Sequence, residues 1–393
     1  MKIALLSDCY LPRLGGIEVQ VHDLAERLSA RGHDVEVFTA TAGAGCERGG
    51  TVESVDGIAV HRLAIALPWG LPVNPLAPPM LRERLRGGGF DVAHIHMGVV
   101  SPFAVDCARV TSRLGLPTAM TWHCMLHWTA GVVSLLGVVR RWAEHGMAMS
   151  AVSAVAAEPL RGIVGAGARV SLLPNGIDVS AWAPEPGATE PGATEPRTTE
   201  PALPVAGGGR RPVRIVTAMR LARRKRPVPL LRMAQWMRAL LPASVGVSLE
   251  ILGDGPDRAL IERHLEREAM ASWVTLAGRV PRADLRQRYA ASDIYVSPSV
   301  LESFGIAALE ARTVGLPVVA RSGSGIAEFV THGVNGLLAP DDETMARQLA
   351  DLVRDTERRT RIRRHNETTP PEQDWGHVVR LAEAEYARAR GGR

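Results

Sequence analysis

The sequence predicts an α/β protein built from two doubly wound domains with parallel sheets. Short apolar runs alternate with helical segments through residues 1–183, and the alternation restarts at 211 and continues to 374. Such alternation is typical of parallel sheets covered by helices. Between the two halves, residues 184–210 are of low complexity and repeat Glu-Pro-Gly-Ala-Thr twice, which indicates a flexible linker. A chain of 393 residues has room for both domains, and we expect a closing helix over 375–390.

In the first half, the elements follow one another at short intervals. The first helix is predicted over 17–31, because Val21, Leu24 and Leu28 keep a period of about 3.6 residues until Gly32. Strands are predicted at 2–6, 35–38, 91–95, 117–121 and 151–153, with a further helix at 130–147.

The second half repeats this order. Strands are predicted at 213–218, 248–252, 274–276, 293–296 and 317–320, and helices at 227–241 and 257–268. In doubly wound folds, ligands bind beyond the carboxyl ends of the strands. We therefore expect two Rossmann-like domains that face each other across a ligand-binding cleft.

Composition limits the classes of ligand. The net charge of +5 and the pI near 9.4 suit phosphates, nucleotides or anionic lipid surfaces. Nucleic acid is not indicated, because the basic residues are dispersed and no nucleic-acid-binding module is present. Neither a signal peptide nor an apolar stretch of transmembrane length is found, so we expect a cytoplasmic protein.

Two carboxylates bracket a predicted helix in the stretch 291–312. Pro298 ends the preceding strand, Ser303 is a candidate helix cap, and Glu302 and Glu310 lie just before the helix and about two turns into it. Carboxylates suit sugar and ribose hydroxyls, and the first helical amides suit phosphate or sugar oxygens. Those amides belong to Ser303, Phe304, Gly305 and Ile306. The alternative is an exposed helix with one favourable acidic residue at its start.

A basic run follows the first strand of the second half. Arg220 and Lys225 flank it, and Lys225 is one of only two lysines, the other being Lys2. Two cations at this spacing can clamp a diphosphate and stabilise the charge that develops as it leaves. Arg224, in the same run, is a further candidate for substrate binding. The alternative is a solvated basic loop.

The first half offers three further candidates. Gly15 and Gly16 lie between the first strand and the first helix, where glycine lets the backbone approach a ligand closely. A tight turn that needs a positive φ is the alternative. His123 follows a strand, at the expected edge of the cleft, although a lone histidine is more often structural. His94 and His96, on one face of a strand, are interpreted as structural.

Taken in order, these motifs resemble the GT4 family of retaining GT-B glycosyltransferases. The resemblance rests on Gly-Gly-Ile-Glu-Val at 15–19, Arg-x4-Lys at 220–225, Leu-Gly-Asp-Gly-Pro at 252–256, Leu-Ala-Gly-Arg-Val at 276–280 and Glu-x7-Glu at 302–310. It covers nearly the whole chain outside 183–210. Two positions depart from the family: Cys124 replaces a small residue after His123, and Arg226 replaces the glycine that commonly follows the lysine.

The resemblance implies a GT-B fold and transfer of a hexosyl group from a UDP- or GDP-sugar, with the leaving phosphate helping to deprotonate the acceptor. By the same likeness, Arg220 and Lys225 hold the diphosphate, Glu302 and the amides of 303–306 hold the sugar, and Glu310 holds the ribose. No Asp-x-Asp motif occurs, so we expect neither a metal ion nor another cofactor.

The resemblance also places backbone near Val280 at the nucleobase. His123 is placed at the donor sugar, and Gly16 where the donor phosphate meets the acceptor.

The acceptor is the least determined partner: a glycan, a lipid or a small polyol. The opening Ser-Asp-Cys-Tyr-Leu-Pro-Arg-Leu-Gly-Gly resembles the phosphatidylinositol glycosyltransferase branch. Apolar residues at 66–80 next to Arg82, Arg84 and Arg86 suit peripheral contact with an anionic membrane at its inner face. The alternative is a folded loop and the solvated face of a helix. The oligomeric state is left open.

Two other functions are compatible with this fold. A nucleotide-sugar 2-epimerase would act without an acceptor, and a non-catalytic binding module would lack the cation clamp or Glu302.

Overall fold

A computed structural model gives the fold of the chain. It describes residues 1–13, 15–43, 50–64, 74, 76–126, 137–184 and 211–391, so the predicted linker lies outside it from residue 185 onward. The chain divides into two compact units. The first comprises Met1–Gly176 with Gln373–Arg393, and the second comprises Ile177–Glu372.

The first unit is built on a sheet that has eight strands in the described residues, in the order β3-β4-β2-β1-β5-β6-β7-β8. Neighbours are parallel except for the antiparallel pair β3–β4. The strands are β1 Lys2–Ser7, β2 Asp34–Thr39, β3 Thr51–Val55, β4 Ile58–Arg62, β5 Val92–Met97, β6 Thr118–Trp122, β7 Ala148–Ala151 and β8 Val170–Leu172. The helices are α1 Gly16–Ala30, α2 Ala77–Gly88, α3 Pro102–Leu114, α4 Val138–Glu144 and α5 Ala154–Val164.

The second unit has a six-stranded, fully parallel sheet in the order β11-β10-β9-β12-β13-β14 within the residues described. Its strands are β9 Val213–Ala218, β10 Val247–Leu252, β11 Val274–Gly278, β12 Ile294–Ser297, β13 Val318–Arg321 and β14 Gly336–Ala339. Its helices are α6 Val179–Trp182, α7 Pro227–Ala239, α8 Arg258–Arg267, α9 Arg282–Ala290, α10 Ile306–Thr313, α11 Asp342–Arg354 and α12 Thr356–Thr368.

Strand order reverses once in each sheet. In the first unit β1 lies between β2 and β5, and in the second β9 lies between β10 and β12. Ligands of doubly wound folds bind beyond the carboxyl ends of the strands at such a point. The basic run follows β9 and Glu302 follows β12, so the predicted donor-binding residues lie at the switch point of the second unit.

The chain ends in a helix that belongs to the first unit, α13 (Trp375–Gly391). Its buried Trp375, Val379 and Ala382 join the apolar core with β1, β5 and α1. The buried Tyr386 hydroxyl lies 2.9 Å from Nδ1 of His94. The helix therefore completes the first unit, although its sequence follows the whole of the second.

Some predicted elements begin or end elsewhere. The strand predicted at 151–153 lies at Ala148–Ala151, because the Ser153 side chain accepts the Ala156 amide hydrogen and so begins α5. Of the helix predicted at 130–147, α4 covers Val138–Glu144, and residues 127–136 lie outside the described residues. Residues 177–183 join the second unit, where the ring centroids of Trp182 and Tyr289 are 6.0 Å apart.

None of the helices among the described residues combines the length and the apolar character needed to cross a membrane.

Candidate active site

The centre of the candidate site is an ion pair between two predicted residues, Lys225 and Glu302. The Nζ of Lys225 lies 2.6 Å from Oε2 of Glu302, and the two side chains are only 23% and 15% exposed. Lys225 ends a 3-10 turn after β9, and Glu302 lies in the loop between β12 and α10. The fold therefore brings together a cation and a carboxylate that are 77 positions apart in sequence.

Helix α10 begins two residues later than a Ser303 cap would require. Gly305 is its N-cap, with φ of 92°, and no side chain of the described residues caps the helix, so the prediction for Ser303 as the cap is wrong. Glycine is needed because of that φ and because a Cβ at Gly305 would lie 2.5 Å from Cγ1 of Ile326. Among the described residues, the amides of Phe304, Gly305 and Ile306 have no hydrogen-bond acceptor. The helix start thus retains free donors beside Glu302.

A second close backbone contact fixes Glu302 itself. The Glu302 carbonyl oxygen accepts the Gly325 amide hydrogen at 2.7 Å, and a Cβ at Gly325 would lie 2.0 Å from the Ser303 carbonyl oxygen. Only glycine fits at this position. The loop after β13 therefore supports the loop that carries Glu302.

Glu310, the second carboxylate, is buried at 5% exposure in α10. Its Oε1 lies 3.6 Å from Nε of Arg282, the first residue of α9. Val280 is half-buried on the loop just before Arg282. The structure therefore brings the predicted ribose and nucleobase residues into one region, through an arginine that sequence reasoning missed.

The remaining cations of the basic run are exposed. The side chains of Arg220 and Arg224 make no hydrogen bond or ion pair with any of the residues described. Their loop is held by the Gly-Asp-Gly segment: the Leu221 amide donates to the Asp254 carbonyl oxygen at 2.9 Å. A Cβ at Gly255 would lie 2.4 Å from the Leu221 carbonyl oxygen, so glycine permits this contact. Two cations are thus displayed on a fixed backbone.

Arg226, which replaces a family glycine, has a structural role. Its φ of 60° is left-handed, a conformation that glycine adopts readily and arginine does not. Two hydrogen bonds from its guanidinium to the Asp342 carboxylate, of 2.8 and 2.7 Å, hold it there. Arg321 also donates to Asp342, at 2.9 Å. Arg226 thereby fixes the backbone immediately after Lys225.

His123 belongs to the first unit, as do Gly15 and Gly16. It follows β6, its amide donates to the Met97 carbonyl oxygen at 2.9 Å, and its Nε2 lies 3.0 Å from Nδ1 of His96. Burial lowers the pKa of His123 to about 4, against a smaller opposite effect of a hydrogen bond with the Asn175 side chain. The imidazole is therefore neutral at pH 7. Neither Asn175 nor His96 was predicted as a site residue.

The glycine pair begins α1 without a left-handed turn. Gly15 is extended, with φ of −166°, so the alternative of a turn that needs positive φ is wrong. A Cβ there would lie 2.4 Å from Oε2 of Glu18, whose carboxylate folds back over the helix start. On the same helix, the Gln20 side chain exchanges two hydrogen bonds with the backbone of Gly176, next to Asn175. These contacts connect α1 to the surroundings of His123.

No group of three or more His, Cys, Asp or Glu side chains suited to a metal ion occurs in the described part of the chain.

Comparison with known families identifies the enzyme class of the chain. The family of glycosyl transferases group 1 matches residues 209–369, and glycosyltransferase family 4 matches residues 14–181. The two matches span most of the chain and cover both units. The chain is a GT4-like glycosyltransferase. The enzyme class expected from the motifs is thereby confirmed.

Relatives of this glycosyltransferase have related activities. A GDP-mannose-dependent alpha-mannosyltransferase of Mycobacterium tuberculosis is 25% identical over 90% of this chain and 87% of its own length. A D-inositol 3-phosphate glycosyltransferase of Pseudarthrobacter chlorophenolicus is 28% identical over 82% and 78%. The gpi3 subunit of the phosphatidylinositol N-acetylglucosaminyltransferase of Schizosaccharomyces pombe is 24% identical over 89% and 72%.

A solved structure confirms the GT-B fold class. HepE of Anabaena, solved with UDP and glucose, superposes on this glycosyltransferase with a TM-score of 0.73 at 18% identity, over 98% of this chain and 99% of that one.

The role of Arg226 can be tested by comparing Arg226→Gly with Arg226→Ala. Both variants lose the Asp342 hydrogen bonds, but only alanine retains the cost of the left-handed backbone. We expect the glycine variant to be more stable by roughly 1 kcal/mol. The measurement is the free energy of unfolding in urea. Equal stabilities, or a more stable alanine variant, would contradict a strained backbone at this position.

Proposed function

We propose that this glycosyltransferase moves a hexosyl group from a UDP- or GDP-sugar to an acceptor hydroxyl, with retention of anomeric configuration and without a metal ion. The observation that carries the proposal is the Lys225–Glu302 pair beside the free amides of α10 and the exposed Arg220. This arrangement offers cations for a diphosphate and acceptors for sugar hydroxyls within one loop cluster.

The transfer requires one bond to break and one to form. The bond between the anomeric carbon and the diphosphate oxygen breaks, and its electron pair stays with the phosphate. The acceptor oxygen bonds to the anomeric carbon on the same face, and its proton passes to the departing phosphate oxygen. Negative charge therefore grows on the diphosphate, and fixed cations stabilise it best because they need no reorganisation.

In this proposal Arg220 and Lys225 bind the diphosphate, and Arg224 adds a third cation beside them. Lys225 must exchange the Glu302 carboxylate for phosphate oxygens when the donor binds. Glu302 then becomes free to accept hydrogen bonds from sugar hydroxyls. The amides of residues 303–306 donate hydrogen bonds to the sugar oxygens.

The nucleoside is assigned to the region around Glu310. The Glu310 carboxylate accepts hydrogen bonds from the ribose hydroxyls, and the Arg282 guanidinium, 3.6 Å away, orients it. The backbone near Val280 meets the nucleobase. In the first unit, the neutral His123 imidazole contacts the sugar, and the Gly15–Gly16 start of α1 offers its amides to phosphate.

The proposal for the acceptor is a hydroxyl of a phosphorylated polyol, either free or as the head group of a lipid. Relatives that act on D-inositol 3-phosphate and on phosphatidylinositol support it. On α2, Arg82 and Arg86 are exposed, and Leu76, the residue before this helix, is 54% exposed. Arg84 is half-buried, with its Nη1 3.1 Å from Nδ1 of His61. Residues 65–73, with Trp69, lie outside the described residues.

The donor chemistry is tested by Arg220→Ala and Lys225→Ala. Each should lower turnover by roughly a hundredfold or more, the loss expected on removing a donor that stabilises developing anionic charge. Assays with a panel of UDP-, GDP- and ADP-sugars identify the donor that the enzyme uses. Product analysis distinguishes a sugar transferred to an acceptor from the epimer that a 2-epimerase would release. Arg232→Ala, which removes an exposed arginine of α7, is the matched control. Turnover within a few-fold of wild type for both single variants would remove the clamp from the mechanism.

The acceptor is tested by offering inositol phosphate, phosphatidylinositol vesicles and a neutral disaccharide. A lipid acceptor predicts transfer to the vesicles and co-sedimentation with them at low ionic strength, weakened by salt and by Arg82→Glu with Arg86→Glu. A free polyol phosphate predicts transfer without vesicle binding. Transfer to the disaccharide alone would overturn the acceptor proposal and leave the donor chemistry intact. Arg109→Glu on α3 is the control for charge reversal.

A further inference from the structure

Two buried histidines of β5 differ in their hydrogen bonding. His94 and His96 lie on the same face of the strand, with ring centroids 4.2 Å apart. His94 has partners on both nitrogens: the Tyr386 hydroxyl at 2.9 Å from Nδ1 and the Thr121 hydroxyl at 2.7 Å from Nε2. Among the described residues, His96 has a partner only on Nδ1, which lies 3.0 Å from Nε2 of His123. His94 is therefore a satisfied core residue, whereas His96 is not.

The unpartnered atom of His96 is Nε2. Although the residue is only 3% exposed, this nitrogen has no hydrogen-bond partner among the residues described. His96 lines a cavity of about 20 Å³, which is roughly the space of one water molecule, together with Gln20, Thr121, His123 and Asn175. Leaving a buried polar atom unpaired is costly, so packing alone does not explain a histidine at this position. Its contact with His123 offers an explanation.

The charge state of the two rings limits how they can bond. Burial lowers the pKa of His123 to about 4 and that of His96 well below its usual value, so both rings are neutral at pH 7. A neutral imidazole has one N–H donor and one acceptor nitrogen. In the contact between the two rings, one must therefore donate and the other accept. The position of the proton on His96 decides the position of the proton on His123.

One of the two arrangements is favoured. If His123 donates, the proton of His96 lies on Nε2, a buried N–H for which the described residues offer no acceptor. If His96 donates from Nδ1, its Nε2 carries only an unpaired acceptor, and the His123 proton lies on Nδ1. Orphaned buried N–H groups are rarer in proteins than orphaned acceptors. The second arrangement therefore fits the structure better, and the hydrogen bond with Asn175 gives the His123 ring a second partner.

We propose that His96 is a positioning residue, which donates from Nδ1 to Nε2 of His123 and fixes the ring orientation and the Nδ1–H tautomer of that imidazole. The consequence for catalysis rests on the proposed function, in which His123 contacts the sugar. His123 then keeps one orientation and one charge state beside the sugar, with His96 on Nε2 and Asn175 as the second partner. A histidine that could change tautomer would lose one of these two contacts part of the time and hold its ring less firmly.

The test is nitrogen-15 NMR of the full chain labelled on histidine, with His123 assigned from the signal lost in His123→Gln. In wild type, Nδ1 of His123 should give the signal of a protonated nitrogen and Nε2 that of an unprotonated one. His96→Leu removes the donor and should produce a mixture of both tautomers. His96→Asn keeps an amide donor near the position of Nδ1 and should restore the wild-type pattern. The tautomer of His123 in wild type can be read even where the leucine variant does not fold.

Activity gives the second readout. For His96→Leu we expect kcat to fall roughly tenfold with the KM for the sugar donor little changed, and for His96→Asn we expect a return toward the wild-type kcat. Losses of this size follow when a residue that orients a functional side chain is removed. A wild-type His123 protonated on Nε2, or a His123 tautomer unchanged by His96→Leu, would overturn the inference. If the tautomers behave as expected but His123→Gln retains full activity, the proposed role of His123 fails and the inference about His96 stands.

Discussion

The proposed donor-binding region depends on one electrostatic contact, the pair formed by Lys225 and Glu302 at 2.6 Å. Both side chains are largely shielded from solvent, and each would be an unpaired, partly buried charge without the other. The pair therefore keeps two reactive groups ordered before any substrate is bound. In the proposed function it also makes them competitors, because the cation assigned to the diphosphate is the partner of the carboxylate assigned to the sugar. A sugar-nucleotide would resolve this competition by supplying a partner for each group at once.

The backbone around this pair makes close contacts at positions that leave no room for most side chains. Gly305, Gly325 and Gly255 each lie where a Cβ would meet a neighbour at 2.5 Å or less. Arg226 has the left-handed conformation for which glycine is the usual residue, and the Asp342 carboxylate holds it. The loop after β9 thus packs against the loop after β10, and the loop after β12 against the loop after β13, through close contacts at these glycines. Such packing fits a site whose groups must be in place before charge develops.

Much of this could be predicted from sequence, because the relevant signals are local. The alternation of strands and helices predicted two parallel sheets, and the rarity of lysine drew attention to Lys225. Other features depend on contacts between distant segments. Nothing near Arg282 indicates that it would pair with Glu310, and nothing near Asn175 indicates that it would reach His123. The local sequence also does not indicate that α13 packs on the first unit, because Trp375 and Tyr386 predict only a helix with an apolar face.

The measurement that tests this account most directly is the affinity of UDP, GDP and ADP for Glu302→Gln, by titration calorimetry without a sugar. Because the carboxylate competes for Lys225 and repels phosphate, its removal should tighten binding of the cognate nucleotide about tenfold, a change of about 1.4 kcal/mol. Glu302→Asp, which keeps the charge, is the control and should bind like wild type. In a Lys225→Met background the gain should largely disappear. Equal or weaker binding by Glu302→Gln would contradict the competition between diphosphate and carboxylate.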